Sequence, residues 1–133
     1  MAQLGIACKA TSRACAKAGI AGLFGIAGGS SRQISSSREL GDDQTKLDVL
    51  TSSIFVNALT NSGACSMLLS KLHAEPIVVP QEKQGRFFVA FDSLNGTGNI
   101  DCSVGTGSIF AVYEKVTPGE PPLRTGKDLL AAG

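Results

Sequence analysis

The residues with the most chemistry to offer lie in one run, Arg86-Phe-Phe-Val-Ala-Phe-Asp-Ser-Leu-Asn-Gly-Thr-Gly-Asn-Ile-Asp101. Phe87 to Phe91 are apolar and largely aromatic, as a buried strand requires, and at Asp92 the composition switches to the turn formers Ser, Asn, Gly and Thr. A carboxylate is thereby expected at a strand end. Carboxylate and backbone carbonyl oxygens are hard ligands of the kind Mg2+ takes, and phosphate oxygens can complete its octahedron. The Gly96-Thr97-Gly98 segment can bring backbone N–H groups up to an anion, since glycine has no Cβ to hold it off. Together these residues describe metal-assisted phosphate chemistry. The plainer reading of them is a turn that ends a strand.

The elements that must position this run are read from the spacing of apolar residues. Leu4 to Ala18 read as a helix with Leu4, Ala7, Cys8, Thr11, Ala14, Cys15 and Ala18 on one face and Gly19 at the C-terminal cap. That stripe is thin, because Ala and Cys stand where a core helix carries Leu or Val, and each missing buried methylene forgoes about 0.8 kcal/mol. Gly28 to Leu40, rich in Ser and Gly and carrying Arg32 and Arg38, reads as a mobile loop. A second helix is expected from Asp42 or Asp43 to about Asn61, with acids in its first turn, Gly63 past its end, and Leu47, Leu50, Ile54 and Leu59 on its buried side. Asp48 falls one and a half turns into it, where an Asp is ordinarily solvated, and Asp42 reads as an N-cap. Ser66 to Ser70 form a short strand that leads into Lys71, Leu72 and a polar turn with the sole histidine, His73. Ile77 to Val79 and Phe87 to Phe91 read as a hairpin across Pro80 to Gly85. Gly107 to Tyr113 form another strand, and Pro118, Pro121 and Pro122 mark an irregular connection before Gly126.

Bulk properties narrow the function classes. At 133 residues and 43 % hydrophobic, residues 1–133 are expected to make a single domain with a core of its own. A formal net charge of +1 and the lack of any Lys/Arg cluster interleaved with aromatics argue against a nucleic-acid partner. Lys9, Arg13 and Lys17 recur at helical intervals in the N-terminal stretch, which therefore lacks the continuous apolar run of a signal peptide or membrane span. Cys8, Cys15, Cys65 and Cys102 show neither a Cys-x-x-Cys pair nor a His at ligand spacing, as expected of reduced thiols in a cytoplasmic protein.

The run Phe91 to Cys102, followed by Ser108-Ile-Phe-Ala-Val-Tyr113, resembles the metal-binding signature of the class I fructose-1,6-bisphosphatases. Lys17 to Gly28 and Gly41 to Leu50 resemble that family's early segments, in the right order and at nearly the right spacing. Inositol monophosphatases share the Asp-x-Leu-Asp-Gly-Thr core, yet the flanking segments favour the sugar bisphosphatases. The resemblance covers almost the whole chain. It implies an α/β layered fold, the N-terminal half of the sugar-bisphosphatase fold, with two main helices on a mixed or mostly antiparallel sheet. It further implies Mg2+ held by Asp42, Asp92 and the Leu94 carbonyl, Asp48 helping to activate the attacking water, and a substrate phosphate at Asn95, Gly96, Thr97 and Gly98. The implied reaction is Mg2+-dependent hydrolysis of the 1-phosphate of fructose 1,6-bisphosphate. The implied partners are that sugar bisphosphate and other subunits, in a homo-oligomer or with a full-length bisphosphatase.

Three positions depart from the family's pattern. Lys71 and Leu72 stand where the family carries two consecutive glutamates, the first bridging the catalytic metals, and Asn95 stands at the signature's second Asp. Two positive charges about 4 Å apart repel by roughly 4 kcal/mol at an effective dielectric near 20, so Lys71 and Mg2+ should exclude one another. Lys71 has two other readings: a cation that replaces one metal and holds phosphate against the Asn95–Gly98 turn, or a solvated residue at a strand end. The family's further metal-binding glutamate, sugar contacts and second phosphate site fall beyond Gly133. Its N-terminal AMP-binding loop has no counterpart, and Arg86, Phe87 and Glu114 replace residues typical of the nucleotide site, which argues against control by AMP. The expectation is weak Mg2+ binding and little or no turnover, with a non-catalytic subunit that joins a complete bisphosphatase, or a degenerate gene product, as the alternatives.

Overall fold

The computed structural model describes residues 2–23, 45–97, 100, 104–114 and 125–133. Two helices, α1 (Ala2–Lys17) and α2 (Lys46–Thr60), pack on one face of a five-stranded sheet. Its strands are β1 (Cys65–Ser70), β2 (Ile77–Val78), β3 (Phe87–Asn95), β4 (Gly107–Glu114) and β5 (Leu129–Ala132), in the order β2-β1-β3-β4-β5. β1 and β3 run parallel and every other pair is antiparallel, so the sheet is mixed, as expected. The loop over residues 28–40, the proline-marked connection around Pro118, and Cys102 lie outside the described residues.

In α1 the stripe falls where the periodicity puts it: Leu4, Ala7 and Thr11 are buried, Cys8, Ala14 and Cys15 are half-buried, and Ala18 is fully covered just past the end. The small side chains let α1 lie close on α2, and Lys17 sits in the last turn, where the helix dipole favours a cation. α2 begins later than its upstream acids imply. Thr45 is the N-cap: its hydroxyl accepts from the Asp48 N–H, and the Asp48 carboxylate accepts from the Thr45 N–H, a reciprocal capping box. Asp48 thus stands in the first turn rather than one and a half turns in. The buried seam steps by four residues through Leu47, Thr51, Phe55 and Leu59. Leu50 is one residue off that seam and 38 % exposed, contrary to expectation, while Phe55 is wholly buried and stacks on Phe91 with ring centroids 5.2 Å apart.

The expected hairpin between residues 77–79 and 87–91 does not form. β1 lies between them, pairing antiparallel with β2 and parallel with β3. The reason is burial: β1 and β3 contribute Leu68, Val89 and Phe91 to one core with Phe55 and Leu59, whereas β2 is two residues long, leaves Val78 62 % exposed and suits an edge. Gly85 marks where the chain, coming back from β2, crosses the start of β1. A Cβ there would fall 2.1 Å from the Ala64 backbone, a position only glycine can fill.

Candidate functional site

The two parallel strands, β1 and β3, reach their C-terminal ends side by side, the end at which open α/β sheets gather ligands. Ser70 pairs with Phe91, so the next residues, Lys71 and Asp92, are cross-strand neighbours. Lys71 donates from Nζ to Asp92 Oδ2 at 3.2 Å, and the Lys71 N–H bonds the Phe91 carbonyl at 3.3 Å. The lysine side chain is 65 % exposed and the aspartate 19 %.

Asp92 does not end its strand, as the turn formers after it had implied. β3 runs on to Asn95, but the register shifts: Asp92 opposes Ile109 and Asn95 opposes Gly107, so β3 accommodates one residue more than β4 over this interval. This is a bulge, a device that bends a strand and re-aims its side chains. Ser108 anchors it by donating from its hydroxyl to the Ser93 carbonyl at 2.7 Å. Beyond it Leu94 is buried against Ala18 and Leu47, Asn95 is exposed, and Gly96 turns with φ 90. That left-handed backbone is glycine's, and Thr97 follows in a tight turn, half-buried. Asp42 and Gly98 lie outside the described residues.

Asp48 is nearly buried, 9 % exposed, and its carboxylate is engaged: Oδ2 accepts from the Thr45 N–H at 2.9 Å and from the Thr45 hydroxyl at 2.8 Å. It is neither the solvated residue expected of an isolated Asp nor a carboxylate with both acceptor sites idle. Leu72 is half-buried, with its N–H on the Ser70 hydroxyl, and His73 is an exposed turn residue.

Sequence reasoning passed over the hydroxyls that tie α2 to the sheet behind the site. Thr51 and Ser93, both buried, share a hydrogen bond of 3.2 Å between their hydroxyls, and Ser52 and Ser70 approach to 3.5 Å. Thr51 also donates to the Asp48 carbonyl, so the capping turn of α2 is linked through Thr51 to β3 next to Asp92. The available signal was the placing of Ser and Thr at core-facing positions of the helix and of both strands. Phe91 and Ser93 face α2, and alternation along the strand therefore puts Asp92 on the other face of β3.

These donors do not make a divalent-metal site. Mg2+ needs oxygens in a near-octahedral shell, and the exposed acceptor of the site already holds an ammonium group. Among the described residues no group of three or more His, Cys, Asp or Glu side chains is placed to hold a metal ion.

A sequence profile described as "Fructose-1-6-bisphosphatase, N-terminal domain" matches residues 1–133. Fructose-1,6-bisphosphatase 1 of Bos taurus is 43 % identical over 131 residues, 96 % of this chain and 37 % of its own length. Isozyme 2 of Mus musculus, at 41 %, and the cytosolic fructose-1,6-bisphosphatase of Arabidopsis thaliana, at 41 %, match over the same shares. The chain thus spans little more than a third of the curated relatives it matches. Among solved structures, the holo form of Leishmania major fructose-1,6-bisphosphatase superposes with a TM-score of 0.84 at 26 % identity, over 100 % of this chain and 42 % of that one. Sequence and fold agree, and the chain belongs to the fructose-1,6-bisphosphatase family, matching its N-terminal domain.

Proposed function

We propose that residues 1–133 form one fructose-1,6-bisphosphatase-like domain, of a protein of carbohydrate metabolism, that releases little or no phosphate as this chain. In this reading the ancestral ligand is a sugar bisphosphate, its phosphate lying at the turn of Asn95, Gly96, Thr97 and Gly98. Asp42, Asp92 and the Leu94 carbonyl are the remnants of a Mg2+ site, and Asp48 is the remnant of the water-activating acid. The observation that carries it is the ion pair: Lys71 Nζ stands 3.2 Å from Asp92 Oδ2, so the carboxylate best placed to meet a cation already has one. The occupied Asp48 carboxylate supports the same reading, since its two hydrogen bonds from Thr45 hold it to the helix cap. A cytoplasmic location is supported by the cytosolic relative from Arabidopsis thaliana, and among the described residues no helix is long and apolar enough to cross a membrane.

The test is phosphate release from fructose 1,6-bisphosphate by purified protein at millimolar Mg2+, beside an Asp92→Ala control. Release no greater than in the control supports the proposal. Release that disappears in the control overturns it, because Lys71 would then be tolerated in a working site.

A second reading, a non-catalytic subunit that associates with its own copies or with a complete bisphosphatase, is favoured by a different feature. On the sheet face away from the helices Leu69 is 38 % and Ile109 is 54 % exposed. Co-purification with the full-length Bos taurus enzyme is its test, and two separate peaks on size exclusion would dismiss that association.

A further inference from the structure

β5 is the sheet's far edge. It pairs with β4 alone, and the pairing extends to Gly133, which exchanges two hydrogen bonds with Phe110. Its outer row of backbone groups has no strand opposite. Soluble proteins blunt such edges with charges, proline or a covering element. This strand, Leu129-Leu-Ala-Ala132, carries none of those, and Leu130 is 55 % exposed.

Beside the edge, on the helix side, an open apolar cavity of about 360 Å³ runs between Leu130 and Ala131 of β5, Leu4 of α1, Leu59 of α2, and Val89 and Val112 of the inner strands. Protein interiors leave few voids larger than a water molecule, and an apolar cavity of about 150 Å³ already admits a benzene-sized guest. A cleft this large and greasy beside a bare strand edge is an unfinished core. The occupant follows from the lengths. The profile matched is an N-terminal domain, its match ends one residue after β5, and the matched region is 37 % of the Bos taurus relative. In that relative well over half of the polypeptide follows on from this edge strand.

We propose that the β5 edge and the cavity beside it form a docking surface for the polypeptide that follows the N-terminal domain in fructose-1,6-bisphosphatases. That segment adds a strand to β5 through main-chain hydrogen bonds and sets alternate apolar side chains into the cavity. The proposal concerns a surface far from Lys71 and Asp92 and does not depend on whether phosphate is released.

The experiment is co-expression of this chain with the part of the Bos taurus enzyme that follows its matched region, read by the mass of the purified complex and by amide hydrogen exchange. The expected result is a one-to-one complex in which β5 amides not bonded to β4 slow at least tenfold. Leu130→Lys should weaken the complex at least tenfold. Val78→Lys, on the opposite edge strand, should not. Because Leu130 is already half in water, its replacement leaves the fold of the free chain intact, which the exchange pattern of α2 and β3 checks. Absence of a complex, equal binding by Leu130→Lys, or β5 protection in the chain alone through its own copies would each overturn the proposal.

Discussion

Lys71 is the residue whose replacement should change the site most. Its loss costs the fold little: the ammonium is 65 % exposed, and an exposed ion pair is worth about 0.2–1 kcal/mol. The effect on a divalent ion is larger. Coulomb's law puts two unit charges 4 Å apart at about 1 kcal/mol in water and about 4 kcal/mol at a protein-surface dielectric, and a doubly charged ion doubles each. Removing the ammonium should therefore favour Mg2+ beside Asp92 by about 2–8 kcal/mol, the lower end applying because the site is open to solvent. Calorimetric titration with Mg2+ should show no resolvable binding in the parent chain, a gain of about 30-fold or more in Lys71→Met, and a further gain in Lys71→Glu/Leu72→Glu/Asn95→Asp, which restores three carboxylates. Thermal melts should place Lys71→Met within about 1 kcal/mol of the parent. A triple variant that folds and still takes up no Mg2+ would refute the assignment of Asp92 and its neighbours to a metal site.

Other outcomes follow from the packing. Asp48→Ala should lower stability by about 1–2 kcal/mol in urea unfolding, since it strips the Thr45 N–H and hydroxyl of their acceptor, whereas Asp48→Asn, which keeps an oxygen there, should lose less. Equal losses would show that the carboxylate does not cap α2. Gly96→Ala should cost about 1–2 kcal/mol for the left-handed backbone alone, because the added Cβ would meet Gly105 O at an ordinary 3.4 Å. A neutral Gly96→Ala melt would remove the argument for a fixed turn. Burial pushes the Cys65 thiol up, the Ser62 hydroxyl offsetting this in part, so the folded chain holds the proton more tightly than the unfolded one. Stability should then be level below the usual thiol range and fall as pH rises through it and beyond, and Cys65 should react with a maleimide more slowly than half-buried Cys8. Faster labelling at Cys65 would contradict its burial.

The helices were legible because their signals are local. A stripe of small residues at period 3.6 stays visible even when it is thin, and α1 appears where Leu4, Ala7 and Thr11 put it. The start of α2 was misread for a local reason too: Asp42 and Asp43 look like first-turn acids, while Thr45-x-x-Asp48 is a capping box with Asp in place of Glu. The sheet was harder. Nothing in residues 77–91 says that β1 comes between the two strands, because that depends on the core shared by Leu68, Val89 and Phe55. The chemistry of Lys71 was readable as an exclusion of cations, but its partner was not. The pairing with Asp92 exists only through the parallel register Ser70 to Phe91. Asp48 was placed by resemblance, and the sequence alone did not disclose that its oxygen is taken by Thr45.

The Lys71–Asp92 contact also changes what controls the site. A metal ion comes and goes with its concentration in the surroundings, and a chelator can remove it. An ammonium group on a four-carbon stem is tethered, and its effective concentration at the carboxylate is fixed by the length of that stem. Starvation for magnesium or treatment with EDTA leaves this counter-ion in place. What was a rechargeable component in the ancestral arrangement has become part of the covalent chain, and only a change of codon can exchange it.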